Sequence, residues 1–250
     1  VSLRDAYADL VLGASCLGCG AVGRMLCARC AAGLPTAAYD TRPVPCPPGL
    51  ARTAATAPYE GVIKAMVVGL KERQLLGLAR PLGDLLALAV RRLVGNCSPE
   101  AAVILVPVPS RPSSVRSRGF DSTRALATRA ATSLQATGRQ ARTAALLRTR
   151  AGLQDQAGLD AAARATNLAG ALTCSSAALR RLARLQSEAL VVVCDDVVTT
   201  GATAREAQRA LAEVGVPVAG IAAVAATVRR SVGTFTAGPA AELSWSGEAN

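Results

Sequence analysis

Ala189-Leu190-Val191-Val192-Val193-Cys194-Asp195-Asp196-Val197-Val198-Thr199-Thr200-Gly201-Ala202-Thr203 decides the reading of this chain. Six apolar residues, three of them consecutive valines, predict a buried strand over residues 189–194. Asp195 and Asp196 then read as a turn at the strand's C-terminal end, the place where open α/β sheets bind ligands. Small hydroxyl residues and Gly201 follow and open a helix over about residues 203–214. Residues 216–227 are again apolar and β-rich. Strand, helix and strand in that order imply a parallel crossover in an α/β sheet.

The same stretch suggests chemistry. Gly201 permits a tight backbone turn, after which the amides of residues 200–203 would face a ligand at the positive end of a helix dipole, a phosphate-binding arrangement. The hydroxyls of Thr199, Thr200 and Thr203 add donors. Asp195 and Asp196 supply acceptors for vicinal sugar hydroxyls, directly or through a divalent cation and its waters. A ribose 5-phosphate group would satisfy both halves. A strand-end Asp pair running into an N-capped helix is the plainer reading, and it would suffice for a lone Thr-Gly pair. The acid-acid-x-x-Thr-Thr-Gly-x-Thr pattern favours the phosphate.

Outward from this segment, residues 101–108 form a second short apolar run ended by Pro109, and predict another buried strand. Residues 59–94, 121–137 and 177–188 carry helical spacing. Residues 139–166 are polar and basic without a clean period, suiting a hairpin or a mobile hood. A Pro-rich stretch at Pro43, Pro45, Pro47 and Pro48 reads as a linker. Four cysteines fall in Cys16-x2-Cys19-x7-Cys27-x2-Cys30. Two such knuckles suit four thiolates around a structural zinc, ahead of an iron–sulfur cluster or disulfides. Gly18-x-Gly20-x-x-Gly23 formally matches a dinucleotide fingerprint, but no strand precedes it.

Composition narrows the function further. The 250 residues contain no histidine, which excludes Ser-His-Asp and Cys-His machinery, zinc proteases of the HExxH type and Cys2His2 fingers. The two lysines, Lys64 and Lys71, lie outside any Walker A pattern. The net charge of +11 is uneven: +5 over residues 1–99, +9 over 100–184 and −3 over 185–250. At 2% aromatics, the chain has too few rings for the stacking platforms of single-strand binders. An arginine-lined pocket for a sugar phosphate therefore suits the charge at least as well as a nucleic-acid groove. No window has the ~20 apolar residues a membrane helix needs, and Asp5 and Asp9 interrupt any signal-peptide core. The expectation is a cytoplasmic protein without membrane insertion.

The segment at residues 189–203 resembles the phosphoribosyl pyrophosphate (PRPP) signature of type I phosphoribosyltransferases. Other stretches resemble the ComF-like group of that family, linked to bacterial competence and DNA uptake. They are Val106-Pro107-Val108-Pro109 with Arg111, Arg116 and Arg118-Gly119-Phe120; the block of Arg148, Arg150, Gln156, Arg164 and Asn167; Tyr59-Glu60-Gly61 with Leu70-Lys71; and the double CxxC. Together they span roughly residues 16–228. Asp121-Ser122 departs from the Asn-Gln common there, and Cys194 replaces a more usual aliphatic residue.

The resemblance implies a type I phosphoribosyltransferase fold, a parallel sheet flanked by helices, with a zinc-ribbon-like module. The expected division is 1–48 for the module and linker, 49–232 for the α/β domain and 233–250 for a flexible tail. It implies Asp195 and Asp196 as catalytic residues and Thr199, Thr200, Gly201, Ala202 and Thr203 as the 5-phosphate loop. Ser110, Arg111, Arg116 and Arg118 would meet pyrophosphate, Mg²⁺ would accompany PRPP, and Cys16, Cys19, Cys27 and Cys30 would hold Zn²⁺. Arg148, Arg150 and Gln156 would belong to a lid. The implied activity is phosphoribosyl transfer to an acceptor the sequence does not specify, in nucleotide salvage or linked to competence. Two alternatives accompany it: a PRPP-sensing regulator without turnover, and an accessory protein handling single-stranded DNA or docking DNA-uptake proteins. A homo-oligomer is compatible with each.

Overall fold

The computed structural model describes residues 15–110, 112–150, 170–183 and 189–227. In chain order the elements are α1 (Ala28–Ala32), β1 (Tyr39–Thr41), β2 (Thr53–Pro58), α2 (Gly61–Glu72), a 3-10 turn (Leu76–Leu78), α3 (Ala79–Val94), β3 (Ala102–Pro107), α4 (Pro112–Arg118), α5 (Ser122–Gln135), β4 (Ala141–Thr143), β5 (Leu147–Thr149), β6 (Leu172–Cys174), α6 (Ser176–Ala183), β7 (Ala189–Val198), α7 (Ala202–Ala212) and β8 (Val218–Ala226). Among the described residues, six strands form one sheet in the order β1-β2-β8-β7-β3-β4, with only β1 antiparallel to its neighbour. β5 and β6 form a separate antiparallel pair. The expected α/β class with a mostly parallel sheet is therefore present.

Alternation along the central strands sorts their side chains into two cores. Val103 and Leu105 of β3, Val192 and Cys194 of β7, and Ala222 and Val224 of β8 pack beneath α2, α3 and α5. Ile104 and Val106, Val191 and Val193, and Ile221 and Ala223 face the other way, toward α7 and the β5–β6 pair. Cys194 is thus a small core residue, and burial pushes its thiol well above the ordinary range. On the first face the helices pack closely. A Cβ on Gly83 of α3 would lie 2.5 Å from the Cβ and Cγ of Arg129 on α5, so only glycine admits this approach.

Two buried polar side chains tie elements together. The Thr56 hydroxyl donates to the Val224 carbonyl at 2.6 Å, tying β2 to β8. On the second face Glu206 of α7 accepts the Leu172 amide at 3.0 Å and two Arg209 donors at 2.7 and 2.8 Å. Arg209 in turn donates to the Leu172 carbonyl at 3.0 Å, which fixes β6 on α7.

Two expectations change in extent. β7 does not end before Asp195-Asp196 but runs on to Val198, because Val197 and Val198 continue the ladder opposite Ala225 and Ala226 and Thr227 donates its amide to the Val198 carbonyl at 3.0 Å. The Pro-rich stretch joins β1 to β2, and both strands belong to the main sheet. Residue 48 thus falls inside a hairpin connection rather than at the edge of the sheet.

Candidate functional site

The site is built where β7 outruns β3. Their pairing ends at Pro107 opposite Cys194, and Val108 donates its amide to the Cys194 carbonyl at 2.9 Å. Past that point, residues 195–198 pair with β8 and no longer with β3. Asp195 and Asp196 stand at this opening, as their place in the sequence leads one to expect. Asp196 is buried and Asp195 is partly buried.

Each carboxylate accepts the next amide: Asp196 N–H donates to Asp195 Oδ1 at 2.9 Å, and Val197 N–H to Asp196 Oδ1 at 2.8 Å. Lys71, at the C-terminal end of α2, forms an ion pair with Asp196 Oδ2. Burial and the adjacent Asp196 charge push the Asp195 carboxyl well above the usual carboxylate range, against the opposing pull of Lys71. An acid whose pKa is raised by folding weakens the fold as pH climbs through the ordinary carboxylate range toward the raised value. Asp195→Asn is accordingly expected to raise the thermal midpoint at about pH 8 and to lose that advantage near pH 4, as melting curves at both would show.

The turn after β7 has the conformation expected of it. Gly201 takes φ +71°, a left-handed geometry that L side chains rarely adopt, and serves as N-cap of α7. No acidic residue occupies the first turn of α7, so its positive end is uncompensated by side-chain charge on the helix. Thr199 is exposed, Thr200, Ala202 and Thr203 are partly exposed, and Gly201 is buried. The Thr200 hydroxyl accepts the Ala202 amide at 3.4 Å. The two carboxylates and the loop therefore share one end of β7.

Two of the proposed pyrophosphate residues, Ser110 and Arg118, are already engaged. Ser110 donates its hydroxyl to Asp121 Oδ1 at 2.9 Å, and that oxygen also accepts the Arg124 amide at 3.1 Å. Asp121 is the N-cap of α5. Arg118 pairs with Glu72 at 3.1 Å, while Arg116 is exposed on α4. Arg148 and Arg150 are exposed at β5. Arg111, Gln156, Arg164 and Asn167 lie outside the described residues, as do residues 228–250, which include the tail expected over 233–250.

Lys71 and Glu72 are the site residues that sequence reading did not assign. They join α2 to Asp196 and Arg118 respectively. Lys71 sat in a quoted motif, Leu70-Lys71, but nothing local points to a partner so far along the chain.

The four N-terminal cysteines do converge. The sulfurs of Cys16, Cys19, Cys27 and Cys30 all lie within 4.8 Å of one another, with Cys19 and Cys27 at 3.6 Å. Tetrahedral zinc with Zn–S bonds of ~2.3 Å requires S–S edges of ~3.8 Å. The set fits a structural metal such as zinc. Cys27 donates its amide to Cys16 Sγ at 3.3 Å, and with other backbone amides this lowers the Cys16 thiol to about 6 against the effect of burial. Cys30, beside the Cys27 and Cys16 sulfurs, is pushed up to about 12. Four thiolates cannot coexist at this spacing without a cation to offset them.

The module is docked on the main domain. Leu17, Met25 and Leu26 pack against the first core. Gly69 and Gly77 make room for them: a Cβ at Gly69 would lie 3.2 Å from Leu17 Cδ1, and one at Gly77 2.8 Å from Met25 Cε.

Among the described residues, no helix is long and apolar enough to cross a membrane. No protein-family model matches the sequence, and no curated protein is detectably similar to it.

Proposed function

We propose that this chain is a PRPP-binding protein of the ComF-like, type I phosphoribosyltransferase kind, transferring a phosphoribosyl group with release of pyrophosphate. One observation carries the reading: a carboxylate pair and a left-handed glycine turn opening a helix N-terminus occupy the same end of one central strand. The loop at residues 199–203 would take the 5-phosphate through amides and threonine hydroxyls. Asp195 and Asp196 would accept from the ribose hydroxyls. Their oxygens, hard and anionic, also suit Mg²⁺, which supplies charge neutralisation for the pyrophosphate when bound.

In this reading the C1–oxygen bond of PRPP breaks with its electron pair leaving on pyrophosphate, and an acceptor nucleophile forms the new bond at C1. The contribution of the chain is electrostatic placement rather than covalent attack, which suits a protein without histidine. Lys71 offsets one of the two carboxylate charges, so the pair can stand together at the mouth of the site.

Calorimetric titration with PRPP and Mg²⁺ tests this. Asp195→Asn combined with Thr200→Ala is expected to weaken binding roughly 10- to 100-fold, by loss of charge-assisted and hydroxyl contacts. Absence of binding by the unaltered protein, or equal binding by the variant, would sink the proposal.

A second reading is favoured by the engagement of Arg118 with Glu72 and of Ser110 with Asp121: a PRPP-responsive regulator without turnover. Pyrophosphate release with a panel of nucleobases separates the two. Turnover establishes the transferase; saturable PRPP binding without pyrophosphate release supports the regulator.

A further inference from the structure

The hairpin connection between β1 and β2 reaches the phosphate loop. A Cβ at Gly201 would lie 2.8 Å from Pro43 Cγ, 3.0 Å from Leu50 Cδ2 and 3.4 Å from Pro47 Cδ. Helix α7, which begins at that loop, reaches back to the same connection. Arg205 Nε–H donates to the Pro48 carbonyl at 2.9 Å. Gln208 makes two bonds at 2.9 Å, donating from Nε2 to the Gly49 carbonyl and accepting the Ala51 amide at Oε1.

The connection is itself stiff and anchored. Four prolines fix φ at residues 43, 45, 47 and 48. At its base, β1 pairs with β2 from Thr41 opposite Thr53. Asp40 is held there by Arg52 at 2.9 and 3.1 Å and by Arg92 at 2.7 Å.

The contacts of the hairpin centre on Gly201. Gly201 is buried, whereas Thr199 is exposed and Thr200, Ala202 and Thr203 are partly so. The hairpin thus packs on the buried Gly201, while the flanking threonines keep some exposure. A free glycine populates positive and negative φ about equally. The left-handed setting seen here is the one that leads the chain from β7 into α7.

We propose that residues 43–50 are a brace that holds the phosphate loop in its anion-binding form, with Gln208 and Arg205 as positioning residues; this rests on reading the loop as a phosphomonoester site. The brace lowers the ordering cost of binding, because the loop is set before the ligand arrives. It should matter for the phosphomonoester end of a ligand and not for pyrophosphate, whose expected residues lie around residues 110–118.

The test uses the full chain carrying Arg205→Ala with Gln208→Ala. Both side chains lie on the helix surface, so folding should survive, and melting curves verify this. A second variant, Pro43→Gly with Pro47→Gly, loosens the brace without touching α7. Ribose 5-phosphate, pyrophosphate and Mg²⁺-PRPP are titrated separately, and amide hydrogen exchange is followed at residues 201–203. Support consists of roughly tenfold weaker ribose 5-phosphate binding in both variants, unchanged pyrophosphate binding and faster exchange at those amides. If the unaltered protein binds ribose 5-phosphate and both variants bind it equally well, the brace is overturned while the phosphate site stands. Should the unaltered protein bind neither ribose 5-phosphate nor PRPP, the site reading fails and takes the brace with it.

Discussion

Lys71→Met is expected to lower stability by about 3 kcal/mol, seen as a fall of roughly 6–12 °C in the thermal midpoint at neutral pH. The substitution keeps the length and apolar stem of the side chain and removes only its charge. What remains is the buried Asp196 carboxylate beside Asp195, without its cation. Breaking a fully buried pair typically costs 3–5 kcal/mol; the Lys71 side chain is 31% exposed, which places this case at the low end. The pH dependence has a definite sign. Removing Lys71 takes away the charge that opposes the rise in the Asp195 pKa, so the variant binds its proton more tightly when folded. The deficit should therefore be larger at about pH 8 than at about pH 5, where protonation relieves the repulsion. Adding Asp196→Asn should recover most of the loss. Equal midpoints for Lys71→Met and the unaltered protein would show that the pair does not carry this weight.

Loss of the metal from the cysteine module is the other large effect. Chelation, or Cys19→Ser with Cys27→Ser, should release residues 16–30 from the main domain. The four sulfurs have no covalent link to hold them: the cysteines are free and the closest sulfur pair named above is far beyond a disulfide bond. Release would expose Leu17, Met25 and Leu26, which pack on the first core. At ~1.5–3 kcal/mol for each fully buried apolar side chain, three partly buried ones amount to roughly 3–5 kcal/mol, or about 6–20 °C in the midpoint. Metal analysis should find one zinc per chain, and hydrogen exchange should accelerate first in residues 16–30. A protein purified without metal, whose melting a chelator leaves unchanged, would overturn this account.

The parts that the sequence makes legible share a physical origin. β3 and β7 are runs of β-branched and aliphatic residues that only a two-faced core can accept, so their burial follows from composition alone. The cysteine cluster is set by local spacing, and the turn at Gly201 by the φ that only glycine takes readily. What stays hidden depends on distant partners. The extension of β7 through two aspartates runs against strand propensity and is carried by pairing with Ala225 and Ala226. β1, β4, β5 and β6 are three residues each, too short to show a period. Lys71 and Asp196, like Arg205 and the Pro48 carbonyl, meet only after the sheet has assembled. The basic excess illustrates both sides: Arg52, Arg92, Arg118 and Arg209 serve structural ion pairs, which no count of charges reveals.

The strand order also bears on how the protein is made. β8, the last strand among the described residues, is inserted between β2 and β7 rather than added at an edge. About 165 residues separate Thr53 from Val218. At ~5–20 residues per second, a ribosome takes roughly 8–30 s to deliver the strand that β2 is waiting for. Throughout that interval the alanine-rich β2 lacks its parallel neighbour, and the helices α2 and α3 lack part of the surface they are to cover. The central seam of the sheet thus stays open until β8 has emerged.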